Sequence, residues 1–144
     1  MAYEKLFEPI KIGTVQLKNR YVMAPMNLMN DWMGLVDEQE IAFNVARAMG
    51  GVSLIIYGAV LCTKLGIKVA PHPWIFMTDI SHISGLSKLA ESVHLCGTKI
   101  FIQVLPAAGG RTRPWSNEQP VGPSAVPFDM GGLATWERPE YKVY

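Results

Sequence analysis

The run Leu54-Ile-Ile-Tyr57, set between the pair Gly50-Gly51 and Gly58, constrains the fold of this chain more than any other stretch. A continuous apolar run of strand length suits a parallel strand whose sheet is covered by helices on both faces or ringed by them in a barrel. The flanking segments are helical in pattern. Asp37 followed by Glu40 has capping-box spacing, and Ile41, Val45, Ala48 and Met49 recur at helical spacing up to Gly50-Gly51. Residues 58–78 read as a loop carrying Pro71 and Pro73. A second helix then starts near Asp79 or Ser81, buries Leu86, Leu89, Ala90 and Val93, and ends at Gly97. Residues 99–104 form the next strand. Upstream, Gly13-Thr14 within residues 11–17 marks a hairpin turn. Residues 21–24 make a first buried strand that stops at Pro25, which has no amide hydrogen to give to a ladder.

The order strand, helix, strand, helix, strand implies parallel pairing through right-handed crossovers, and the fold class is α/β. The same order begins a doubly wound sheet and a (β/α)8 barrel. A closed barrel takes about 250 residues, so the 144 residues of this chain correspond to part of one. In both architectures ligands sit at the C-terminal ends of the strands. Residues 25–27, 57–60 and 103–108 are therefore expected to converge.

Composition removes several classes of function. With 13 Lys and Arg against 12 Asp and Glu, evenly spread, the chain has no electrostatic footprint for nucleic acid. The apolar stretch 54–62 falls short of the roughly 20 residues that cross a bilayer, so no membrane partner is expected. The N-terminus lacks a signal-type apolar segment, and Cys62 and Cys96 lack paired spacing, which fits a reducing cytoplasm. His94 and Cys96 have no second pair to complete a metal site. Asp79, Ser81 and His82 read as a helix cap with a surface histidine. Ala108-Gly109-Gly110 lacks the spacing of a dinucleotide fingerprint.

The strand ends carry the chemistry. Ala24-Pro25-Met26-Asn27 offers main-chain groups on a bend and a side-chain amide, suited to the polar edge of a planar heterocycle with Met26 packed nearby. Taken alone, Pro25 reads as the end of a strand and Asn27 as the residue that satisfies a turn; the rest of the chain reverses that reading. Tyr57-Gly58-Ala59-Val60 ends a strand in small residues that permit close backbone approach to a ligand. In Phe101-Ile-Gln-Val104 an amide interrupts a strand expected to be buried, and a buried amide needs partners for both its oxygen and its nitrogen. A structural bond between strands is the alternative. Beyond it, Pro106, Pro114, Pro120, Pro123 and Pro127 with several glycines exclude a regular helix, and long loops of this kind tend to be functional.

Leu17-Lys-Asn-Arg-Tyr-Val-Met-Ala-Pro-Met26 resembles the first barrel strand of the old yellow enzyme family of FMN oxidoreductases. Arg47-Ala-Met-Gly-Gly-Val-Ser-Leu-Ile-Ile56 is similar to the helix-to-strand junction of its enoate reductase and 2,4-dienoyl-CoA reductase branch. Phe101-Ile-Gln-Val104 and Gln119-Pro-Val-Gly-Pro-Ser-Ala-Val-Pro127 follow in family order, so the resemblance runs over about residues 6–126. It implies that residues 1–144 are a single partial domain, the N-terminal segment of an FMN-binding TIM barrel with about three βα units after a small hairpin. By resemblance, Ala24, Pro25, Met26 and Asn27 meet the flavin, with Asn27 where the family commonly has threonine or cysteine. The same resemblance implies that Ala59 lies against the flavin and that Gln103 takes its pyrimidine edge. The chain departs from the family at Leu105-Pro-Ala-Ala-Gly-Gly-Arg111, where a histidine is missing and Arg111 is displaced.

The implied activity is NAD(P)H-dependent reduction of the activated C=C bond of an enone, enoate or enoyl thioester. The family's catalytic histidine, paired with asparagine or histidine, and its tyrosine belong to later strands, so no catalytic residue is assigned here. Its enoate reductase branch adds a 4Fe–4S cluster and an FAD- and NAD(P)-binding portion after the barrel. The chain stops abruptly at Tyr144, so the remainder of the barrel is the first expected partner. The alternative is a non-catalytic barrel fragment that self-associates through open sheet edges as a homo-oligomer.

Overall fold

The computed structural model describes residues 3–29, 33–69 and 73–106. Strands β1 (Ile10–Ile12) and β2 (Val15–Leu17) pair antiparallel with Ile12 opposite Val15. The turn forms where expected because Gly13 adopts φ +57°, a left-handed value that glycine reaches without steric cost. The chain then enters β3 (Val22–Met23), α1 (Glu38–Met49), β4 (Leu54–Leu61), a short helix α2 (Lys64–Val69), β5 (Ile75–Phe76), α3 (Ile83–Leu95) and β6 (Lys99–Leu105).

The central sheet is parallel. Along one edge of β4, β3 pairs with its start (Val22 with Leu54, Met23 with Ile55) and β5 with its end (Val60 with Ile75, Leu61 with Phe76). Along the other edge runs β6, from Leu54 opposite Lys99 to Leu61 opposite Leu105. The principal strands β3, β4 and β6 thus stand side by side in chain order, with the short β5 returning to the β3 edge of β4.

Helix α1 begins as the sequence anticipates: the Asp37 carboxylate accepts the Glu40 N–H at 2.7 Å, satisfying an amide that has no partner in the first turn. Helices α1 and α3 pack together over the sheet. Beneath them Ala48, Leu89 and Val93 close on Ile55, Tyr57, Val60 and Ile75, with Ile100 partly buried against the cluster. Each side chain of this size taken out of water contributes about 1.5–3 kcal/mol. Lower anchors fix the sheet to its surroundings. The Ser53 hydroxyl donates to the carbonyls of Asn19 (2.8 Å) and Tyr21 (2.9 Å), and the Thr98 hydroxyl donates to Val52 O at 2.7 Å.

Several expectations change. The first strand is shorter than residues 21–24, and Tyr21 and Val22 are exposed, because β3 pairs only with β4 among the described residues. Met49 is 75% exposed: the buried stripe of α1 runs through Glu40, Asn44 and Ala48, and Met49 turns outward in the last turn. Strand β4 does not end at Tyr57 but continues to Leu61. The stretch read as a loop to residue 78 holds α2 and β5. His82 is buried, not on the surface, with its ring edge-on to Phe76 at 6.0 Å between centroids. It ends a short 3-10 turn that Asp79 caps at Ser81 N, as the sequence suggests.

Candidate functional site

Because β3, β4 and β6 are parallel, their C-terminal ends lie on one end of the sheet. The ladder with β6 breaks there. Tyr57 faces Ile102 and Val60 faces Val104, so Gly58 and Ala59 together stand opposite Gln103 in a bulge. The backbones approach closely: a Cβ on Gly58 would lie 2.8 Å from Gln103 Cβ and 3.0 Å from its carbonyl oxygen. Gly58 also has φ +153°, and the peptide joining it to Ala59 is cis. Only glycine fits both the space and the dihedral. Ala59 is half-buried at the same bulge.

Gln103 differs from its expectation. It is exposed, since β6 pairs only with β4 among the described strands and the face Gln103 shares with Phe101 is not covered by α3. Strand alternation places it opposite Ile100, which packs into the core. Its amide forms no hydrogen bond with another described residue, leaving donor and acceptor available for a planar polar ligand. From β3, Ala24, Pro25 and Met26 emerge exposed and Asn27 half-buried, again with no side-chain partner among the described residues. The structure therefore brings Ala59 and Gln103 together and sends residues 24–27 off the same end of the sheet. Residues 107–111, with Ala108 and Arg111, lie outside the described residues.

Sequence reasoning missed one group at this end. Glu40, read only as a capping partner, is 2% exposed, and so is Tyr57. The Glu40 carboxylate accepts the N–H of Leu28, next to Asn27, and lies beside the Tyr57 hydroxyl. Burial raises the Glu40 carboxyl above its ordinary 4.5, with nearby Asp37 adding to the shift and Tyr57 and Leu28 opposing it. Burial, followed by the Glu40 charge, raises the Tyr57 hydroxyl as well. The only sequence signal was a carboxylate on the same stripe as Ala48.

The shift fixes a sign for pH. Just above pH 4.5 the unfolded chain loses the Glu40 proton while the folded chain keeps it, so this group's contribution to stability falls as pH rises through that window. Glu40→Gln is expected to flatten that part of the profile. Urea unfolding of the native-length protein and the variant between pH 4 and pH 8 measures it; parallel profiles would refute the assignment.

Cys62 and Cys96 are free, and no metal-competent cluster of His, Cys, Asp or Glu occurs among the described residues. No helix among the described residues is long and apolar enough to cross a membrane.

Comparisons with known proteins match this geometry to a family. The sequence model of the NADH:flavin oxidoreductase / NADH oxidase family matches residues 5–139. An NADH oxidase from Thermoanaerobacter brockii is 42% identical over 135 residues, covering 90% of this chain and 20% of that protein. A cinnamate reductase from Clostridium sporogenes is 37% identical over 133 residues, covering 87% and 20%. The chain therefore spans about a fifth of the length of these relatives. In structure, Old Yellow Enzyme from Pichia sp. AKU4542 superposes with a TM-score of 0.70 at 24% identity, over 79% of this chain and 29% of that one. That likeness shows the fold: β3, β4 and β6 are the opening strands of a TIM barrel and not of a doubly wound sheet. Matched over residues 5–139 and folded as part of that barrel, the chain belongs to the NADH:flavin oxidoreductase / NADH oxidase family, the old yellow enzymes of the sequence resemblance.

Proposed function

We propose that this chain supplies the first strands of the FMN site of an NAD(P)H-dependent ene-reductase, acting on the activated C=C bond of an enone, enoate or enoyl thioester. The observation that carries the reading is the bulge at which Gly58 and Ala59 meet Gln103 at the C-terminal end of the barrel strands. The residues present fit the cofactor. Gln103 offers an amide donor and acceptor with no competing partner among the described residues, in the arrangement that the carbonyl and imide groups of a flavin edge require. Gly58 lets β4 and β6 approach closely enough to set Gln103 beside the half-buried Ala59, while Met26 and Asn27 supply an apolar contact and a second amide. FMN bound there supplies two-electron transfer between a reduced nicotinamide and the alkene.

The roles of the chain's own residues are binding and orientation. Backbone and amide groups fixed before the ligand arrives lower the ordering cost of binding. Proton donation and carbonyl polarisation are assigned to no residue of this chain. Residues 1–144 act on this reading as one partial domain, completed by the remainder of the barrel. The relatives named for NADH oxidation and cinnamate reduction support the reductant and the enoate class. Unpaired cysteines agree with a reducing compartment.

The test is turnover by the FMN-loaded, native-length protein under anaerobic conditions, with NADH or NADPH and a cinnamate, a cyclic enone or an enoyl thioester. The reading expects alkene-dependent oxidation of the nucleotide and a saturated product by mass spectrometry. Full flavin occupancy with no product from any of the three classes would overturn it.

A further inference from the structure

A carboxylate placed almost entirely out of water is costly unless hydrogen bonds compensate it. Glu40 is such a group, and its main chain is held at both ends: its N–H donates to Asp37 at 2.7 Å, and its carbonyl accepts the buried Asn44 amide at 2.8 Å. The side chain is thereby aimed from a fixed turn of α1. It reaches across to the N–H of Leu28, immediately after Asn27. On its other side is Tyr57, one residue before the Gly58–Ala59 bulge, whose hydroxyl is buried without a hydrogen bond of normal geometry. One carboxylate therefore touches both segments that build the candidate flavin site, the exit from β3 and the bulge of β4. Lys88 of α3 approaches Glu38 at 4.0 Å, not Glu40, so no described cation neutralises the group.

We propose that Glu40 is a positioning residue of the cofactor site: through Leu28 N–H it fixes the backbone of residues 24–27, and through Tyr57 it sets that segment against the bulge. The inference rests on the flavin reading above and deepens it. Helix α1 is the rigid element, and the loop inherits its placement from it, as a supporting shell must hold a binding constellation to within about 0.5 Å.

The test uses native-length protein, unchanged and as Glu40→Ala and Glu40→Gln, titrated with FMN while its visible bands are recorded. Glu40→Ala removes the acceptor and is expected to raise the FMN Kd about tenfold and to shift the flavin bands. Glu40→Gln keeps an oxygen for Leu28 N–H and is expected to restore both to near the unchanged values. A folded Glu40→Ala protein with unchanged Kd and spectrum overturns the proposal, as does a Glu40→Gln protein no better than Glu40→Ala. Hydrogen exchange at the Leu28 amide needs no variant: protection in the unchanged protein supports the tie, and free exchange overturns it. If the unchanged protein binds no FMN, the flavin reading itself fails, a result distinct from normal binding by Glu40→Ala.

Discussion

Gly58→Val is expected to remove stoichiometric flavin from the native-length protein and to lower its stability by about 3 kcal/mol. Two effects act at once. The first added carbon would stand 2.8 Å from Gln103 Cβ, and its near neighbours include the backbone oxygen of Gln103 at 3.0 Å, which no rotamer change can move. The second is the dihedral: φ +153° is open to glycine and strained for a β-branched residue. Relief requires β4 and β6 to separate at the bulge, which displaces Ala59 and Gln103 together. Flavin content after purification and urea unfolding of the apoprotein measure the two losses. A Gly58→Val protein that retains flavin and stability would mean that the bulge is not the close contact described.

Leu89→Ala is expected to cost about 3 kcal/mol as well, by a different route. Leu89 is 1% exposed on α3 and belongs to the cluster with Ala48, Ile55, Tyr57, Val60, Ile75 and Val93. Truncation loses the transfer free energy of the removed carbons and leaves a cavity that two helices and a sheet cannot close. The cluster lies on the helix-covered face, whereas Gln103 occupies the opposite face of β6. The variant should therefore unfold at lower urea yet bind FMN with an affinity within about threefold of the unchanged protein below its transition. Stability and flavin affinity thus separate in Leu89→Ala and fall together in Gly58→Val.

Much of this was legible in the residues themselves. Gly13-Thr14 fixed the hairpin, and the Asp37 cap fixed the start of α1, because each depends on local geometry within a few residues. The order of the principal strands, and the fact that residues 24–27, 58–59 and 103 fall toward their C-terminal halves, followed from strand and helix periods. What escaped was non-local. Gly58 and Ala59 looked like a strand end, since nothing in sequence shows that a partner strand will accommodate them as a bulge and that Val60 and Leu61 will rejoin the ladder. Glu40 looked like a cap, because its burial and its contact with the Leu28 N–H are set by the fold and not by local spacing. Gln103 looked buried because its neighbours are apolar, yet its exposure is decided by what stands beside β6, which pairs only with β4 among the described strands.

The most direct test of the central claim is an FMN titration of the native-length protein and of Gln103→Leu, with flavin quantified against protein after denaturation. The account predicts one FMN per chain for the unchanged protein and a Kd raised about tenfold in Gln103→Leu, the effect of losing roughly 1.4 kcal/mol of amide hydrogen bonding. No bound flavin in the unchanged protein, or equal affinity in the two, would contradict it.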